Sequence, residues 1–187
     1  NATHIAISPN TSSSFTNNSG SLVALQLIMP GETAAPGTVA GKTGTPSTRT
    51  AGTQFSVTVN SVDQFWNVVS TNHNIHISSS DTNATLPADN TLAAGTRNFN
   101  VTLKTAGSNT VTATDLTLGA VTPSTSPLTL VAPGAYTKLQ LLVPGEAAAP
   151  GTATGKTGTP SVQGSNSLFT VTVNGVPTNK TPKYKPA

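Results

Sequence analysis

The sequence predicts an all-β protein built as an antiparallel β-sandwich, and three observations carry that prediction. Apolar residues alternate with polar ones at period two in segment after segment, and no stretch shows a convincing helical period. Gly, Pro, Asn or Asp punctuates the gaps between these segments. Charged residues make up only 8% of the chain, so Thr, Ser, Asn and Gly supply the polarity, and Thr with Val favours strands.

Taken in order, Leu25, Leu27 and Met29 form the first apolar stripe. Phe55, Val57 and Val59 form the second, with Ser56 and Thr58 between them. Gln64 to Val69 reads as a central strand carrying Phe65 and Trp66, and Trp66 is the expected centre of the core. Ile75 and Ile77 flank His76; Phe99, Val101 and Leu103 flank Asn100 and Thr102. Val111 and Ala113 follow an expected turn at Gly107-Ser108-Asn109, and Leu128 and Leu130 close the unit. Short strands with one apolar and one polar face suit two sheets packed face to face. The expected core is therefore Phe55, Val57, Val59, Trp66, Phe99, Val101 and Leu103. Residues 30–53, rich in Gly, Pro and Thr, read as a loop unusually long for a sandwich.

The chain also repeats itself at an offset of 114 residues. Between 25–47 and 139–161, 18 of 23 positions are identical, the exceptions being Ile28/Leu142, Met29/Val143, Thr33/Ala147, Val39/Ala153 and Ala40/Thr154. The match resumes at Phe55–Asn60 against Phe169–Asn174. At the same offset Ala6, Pro9, Thr11 and Ser12 align with Ala120, Pro123, Thr125 and Ser126. A repeat of this length is a whole domain rather than one turn of a solenoid. The organisation expected is a tandem array with incomplete terminal units. Residues 1–20 are the closing strand of a preceding or neighbouring unit, 21–131 a complete sandwich, and 132–187 a partial second unit with a Pro- and Lys-rich tail.

Several motifs suggest chemistry and then fail on spacing. Gly37 to Thr43 approaches a phosphate loop, but that spacing needs Gly at position 36, where Pro36 stands, and Gly44-Thr45-Pro46 opposes the helix that should follow. His73 and His76 are three apart in a strand region and point to opposite faces, so they share no metal. Asp81, Asn83 and Asp89 offer oxygens but no calcium-loop spacing; an Asx turn accounts for Asp81-Thr82-Asn83. With six acidic residues and no nucleophile elbow, no catalytic, cofactor-binding or metal-binding set is expected, and the chain is not read as an enzyme. The absence of Cys excludes disulfides and thiolate metal sites. No run of 18 apolar residues exists, so no membrane insertion is expected. Nine basic residues, three of them Lys180, Lys183 and Lys185, are too few to argue for nucleic acid. Asn1, Asn10, Asn17, Asn83, Asn100 and Asn179 begin Asn-x-Ser/Thr triplets, and Ser- and Thr-rich stretches offer further glycan attachment points.

Two runs carry a resemblance. Phe55-Ser-Val-Thr-Val-Asn-Ser-Val-Asp63-Gln-Phe-Trp-Asn-Val-Val69 and Thr102-Leu-Lys-Thr-Ala-Gly-Ser-Asn-Thr-Val-Thr-Ala-Thr-Asp115 resemble bacterial immunoglobulin-like repeats of the invasin and filamin-like kind. Val62-Asp63 looks like that family's turn into the third strand, and Trp66 stands where the family carries a glycine. The resemblance covers 21–131 well, 136–174 partly and 3–20 as a last strand. It implies an immunoglobulin-like sandwich, a structural role as stalk, spacer or fibre, and an extracellular or cell-surface setting.

Partial units leave edges and half a core uncovered, and exposed strand edges invite another chain. The expected function is a structural subunit of an extracellular filament, assembled head-to-tail with copies of itself by strand addition. The expected contacts are Ile5, Ile7, Phe15, Leu139, Leu141, Phe169, Val171 and Val173. The alternatives are a spacer segment of a giant surface adhesin, or a glycan-binding or phage-fibre module.

Overall fold

The structure, a computed structural model, describes residues 18–177. Among them there is no helix. The strands are β1 (Ala24–Ile28), β2 (Glu32–Ala34), β3 (Lys42–Gly44), β4 (Arg49–Thr50), β5 (Gln54–Val62), β6 (Asn74–Ser79), β7 (Asn90–Thr91) and β8 (Thr96–Thr102). They continue with β9 (Gly107–Asn109), β10 (Val111–Asp115), β11 (Ser124–Thr125), β12 (Thr129–Ala132), β13 (Tyr136–Leu142), β14 (Glu146–Ala148), β15 (Lys156–Gly158) and β16 (Thr172–Pro177).

Two antiparallel sheets, ordered β1-β5-β8 and β11-β10-β6-β7, form the main body. Their apolar stripes meet in one cluster: Leu25, Leu27, Phe55, Val57, Val59, Phe99 and Val101 from the first sheet, Ile75, Ile77, Val111 and Ala113 from the second. Met29, Leu92, Leu103 and Val121 fill in from loops and strand-flanking residues, and Val131 from β12. This arrangement is consistent with a β-sandwich. Burying each Val, Leu, Ile or Phe side chain contributes roughly 1.5–3 kcal/mol, so the cluster is the main source of stability. Outside it the alternation brings polar partners together: Thr58 faces Asn98 across the ladder and donates to its side-chain oxygen at 2.7 Å. A third sheet, β4-β12-β9, adjoins the body, with β4 parallel and β9 antiparallel to β12.

Phe55, Val57, Val59, Phe99, Val101 and Leu103 lie in the core, but Trp66 does not. Gln64 to Val69 is no central strand. It is a tight turn folding back on β5, with Val69 N donating to Ser61 O and Val62 bridging Val68. Trp66 is half-buried and left-handed, at φ 67°. The cause is Asp63, whose carboxylate accepts from Phe65 N (2.8 Å), Asn67 N (3.0 Å) and Gly20 N (2.7 Å) and coils the chain before it can extend. The indole then covers Gly41, where an added Cβ would lie 2.1 Å from Trp66 Cδ2, and Trp66 Nε1 donates to Val39 O.

Three further expectations are corrected. Gly107–Asn109 is strand β9, because β12 is there to pair with it. Residues 30–53 carry three short strands rather than one loop. In β12 the inward residues are Thr129 and Val131, while Leu130, and Leu128 just before the strand, are exposed. A strand has two faces one residue apart, and pairing of Val131 with Arg49 of β4 and Gly107 of β9 selects which one is buried.

Two predictions follow from the Asp63–Trp66 turn. Gly37→Ala, at φ 79° in open space, is expected to cost about 1–2 kcal/mol, the left-handed backbone penalty. Gly41→Ala, at φ 71°, adds the displacement of the indole and is expected to cost roughly twice as much by urea denaturation. The Asp63 carboxyl is held down to about 2 from its ordinary 3.8, first by the Gly20 amide, against the upward push of burial, then by the Asn67 side chain and the Phe65 and Asn67 amides. A carboxylate with a lowered folded pKa stabilises the fold above its unfolded pKa and loses that contribution as pH falls through the folded value. Thermal stability should therefore decline between about pH 4 and about pH 2, and Asp63→Asn should flatten that part of the profile.

Candidate assembly surface

The best-conserved half of the internal repeat is also built twice in three dimensions. In the first copy Gln26 Nε2 donates to Gly41 O at 2.8 Å, and Asn60 Nδ2 donates to Gln26 Oε1 at 3.0 Å. In the second, Gln140 donates to Gly155 O at 2.7 Å, and Asn174 to Gln140 at 3.2 Å. Glu32 accepts from Met29 N and pairs with Lys42 at 2.9 Å; Glu146 accepts from Val143 N and pairs with Lys156 at 2.6 Å. The Lys156 hydrogen bond, then the Val143 amide, holds the Glu146 carboxyl below its ordinary range. The β2–β3 hairpin, Glu32 to Gly44, is matched by β14–β15, Glu146 to Gly158. The long segment is thus a cassette that carries its own hydrogen-bond partners, which is why it folds alike in two settings.

Sheet pairing repeats as well. Leu25 faces Ser61, Gln26 faces Asn60 and Leu27 faces Val59 between β1 and β5; Leu139 faces Gly175, Gln140 faces Asn174 and Leu141 faces Val173 between β13 and β16. The environments, however, are opposite. Leu25, Leu27, Phe55, Val57 and Val59 are 0 to 7% exposed, whereas Leu139, Leu141, Phe169, Val171 and Val173 are 45 to 73% exposed. In the first copy the second sheet covers this face; in the second copy no second sheet among the described residues buries it.

Of the expected assembly contacts, Leu139 and Leu141 lie on β13 and Val173 on β16, while Phe169 and Val171 precede β16 outside any strand. All five belong to one two-stranded sheet and its lead-in. Ile5, Ile7 and Phe15 lie outside the described residues.

The second cassette also touches the loops around Asn83 and Thr105. Asn83 Nδ2 donates to Pro150 O at 3.4 Å, and a Cβ at Gly151 would meet Thr105 Oγ1 at 2.5 Å. Asp81 organises this contact. Its carboxylate accepts from Lys104 N, Thr105 N, Thr105 Oγ1 and Asn83 N at 2.6 to 3.0 Å. Burial pushes its pKa up, but the Thr105 amide and hydroxyl and the Lys104 and Asn83 amides outweigh it and hold the carboxyl below its ordinary range. Asn83 and Thr105 were not legible as contact residues; the sequence shows only the turn they belong to. A cavity of about 560 Å³ lies at this junction, lined on one side by Ala51, Gly52 and Lys104 and on the other by Lys138 and Gln140.

The other candidate ligands are engaged in pairs. His73 Nδ1 lies 2.7 Å from Asp115 and His76 Nδ1 lies 2.6 Å from Asp89, on two separate carboxylates. Among the described residues no three His, Asp or Glu side chains converge as a metal site.

The contrast between the two copies has a measurable consequence. Leu27→Ala is expected to destabilise the monomer by about 2–5 kcal/mol, because it leaves a cavity in a closed core. Leu141→Ala, the same change on the uncovered copy, should stay within about 0.5 kcal/mol in dilute monomer. Paired urea titrations at low protein concentration check this.

In comparisons with protein-family models, curated proteins and solved structures, nothing matches this chain.

Proposed function

We propose that this chain is a structural subunit of an extracellular filament or surface fibre, assembled head-to-tail from copies of itself with immunoglobulin-like units as the building block. The observation that carries this reading is the β13–β16 sheet: it has the register and side chains of the β1–β5 sheet but an uncovered apolar face. A contiguous apolar face of this kind marks an interaction surface. A sheet with a free edge accepts a further strand.

The immunoglobulin-like reading is supported by the β1-β5-β8 layer facing β10 and β6, with β4 running parallel beside the closing strand β12. It is supported also by the sequence runs at 55–69 and 102–115. A structural rather than chemical role fits a surface whose histidines and acids are largely tied up in turn caps and pairs. The extracellular setting rests on the resemblance to repeats of surface proteins.

A second reading is favoured by one contact. The Pro150–Gly151 loop resting on Asn83 and Thr105 is what consecutive units of one long stalk would share. In that case residues continuing the same chain cover the β13–β16 face, and the role is a spacer.

Purified chain of 187 residues, followed by mass photometry and electron microscopy over a concentration series, distinguishes the two. The filament reading expects monomers that convert to fibres of repeating subunits as concentration rises. A discrete monomer at every concentration would sink it and leave the spacer.

A further inference from the structure

We propose that residues 5–12 of a second copy complete the outer edge of β13, running parallel to it, with Ile7 seated in the uncovered apolar face. This rests on the filament reading and specifies which segment docks and in what register.

The template is within the same molecule. In the complete unit, the edge of β1 facing away from β5 is occupied by residues 121–124. Leu25 N donates to Thr122 O at 2.9 Å, Thr122 N donates to Val23 O at 3.1 Å, and Leu27 N donates to Ser124 Oγ at 3.0 Å. Ala24 and Thr122 are the parallel partners. Val121, beside them, is 3% exposed and belongs to the core cluster. Because β13 and β16 repeat the β1–β5 register, Leu139 N–H and Leu141 N–H point out from the same edge.

The segment that fits this edge is the one that repeats 119–126. Residues 5–12 match it at the offset of 114, the offset that relates β1 to β13. Ala6, Pro9, Thr11 and Ser12 are identical to Ala120, Pro123, Thr125 and Ser126. Ile7 replaces Val121, keeping a β-branched plug one methylene larger. Asn10 replaces Ser124 and also brings a side-chain oxygen to accept from Leu141 N–H. Pro9 falls where Pro123 already interrupts the donor pattern, so its missing N–H is tolerated in the same place. In this register Ser8 lies beside Lys138.

The occupant is a second copy because of where the chain enters the unit. Gly20 is tied to Asp63, just past the end of β5, whereas Ala132 is tied to Thr50 and Ala51, before the start of β5. Nine residues of strand, about 30 Å, separate the two ends. Self-capture would require the N-terminal segment to double back along the whole unit. Copies laid end to end bring it to β13 directly.

The chain has no cysteine, so disulfide trapping reads the register cleanly. Ser8→Cys with Lys138→Cys places the thiols on neighbouring strands; Ser8→Cys with Thr172→Cys places them across β13, on the far strand. After mild oxidation of the assembled chain, the first pair is expected to give a ladder of linked oligomers at least about tenfold stronger than the second, because bridging tolerates only short Cα separations. Ile7→Asp should leave monomers, whereas Ile7→Val should assemble. Fibres visible by electron microscopy with no preference for Lys138, or an Ile7→Asp variant that assembles normally, would overturn the docking and leave the filament reading standing. Linked monomers without a ladder would show capture within one chain and also overturn it. Absence of fibres in the unmodified protein would overturn both.

Discussion

The constraint on which this structure depends is that a β-sheet with one apolar face must have that face covered. In residues 21–131 the chain meets it internally: β6 and β10 cover β1, β5 and β8, and Val57, Val59, Ile75 and Val101 lose all contact with water. In residues 136–177 the same sheet is laid down again without its cover. Sheet pairing needs only backbone partners and a suitable alternation, so it forms in both places. Exclusion of water needs a second layer, and that difference separates a buried apolar face from an exposed one.

The cassette between the first two major strands shows the opposite behaviour. Its geometry is nearly independent of what lies around it, because Gln26, Glu32 and Lys42 in one copy, and Gln140, Glu146 and Lys156 in the other, make its hydrogen bonds and ion pair locally. What differs is what its tip touches. In the first copy Gly37 N donates to Phe65 O, and Trp66 lies on Gly41. In the second, Pro150 and Gly151 meet Asn83 and Thr105 of the complete unit. One loop design thus braces the turn at Phe65 and Trp66 in one copy and rests on Asn83 and Thr105 in the other.

Much of the core was legible because period-two alternation reports directly on burial when both neighbours of a strand are present, as for Phe55, Val57 and Val59. It misled where neighbours were decisive. Trp66 sits among strand-forming residues, yet the Phe65 and Asn67 amides converging on Asp63 coil the segment. Leu128 and Leu130 alternate as convincingly as Thr129 and Val131, and only pairing with β4 and β9 selects the inner face. The candidate surface was legible only in its strands. The repeat located Leu139, Leu141 and Val173 in a second copy of the β1–β5 pairing, while their exposure and the Asn83–Thr105 seat required the folded chain to be seen.

By itself, the sequence determined the strand-forming character of the chain, the spacing of its apolar stripes and the existence of two copies of one cassette, because these are properties of side-chain type and order along the chain. Only the tertiary structure decided which apolar stripes are buried and how long each strand runs. Phe55-Ser-Val-Thr-Val-Asn and Phe169-Thr-Val-Thr-Val-Asn are nearly the same string. In the first, β5 begins at Gln54, because β8 pairs with Gln54 to Val57 where β1 does not reach. In the second, β16 begins only at Thr172, the residue opposite Leu142, because among the described residues no counterpart of β8 pairs with the residues before it. Strand formation is a two-body event: the chain supplies one partner, and the fold decides whether the other arrives.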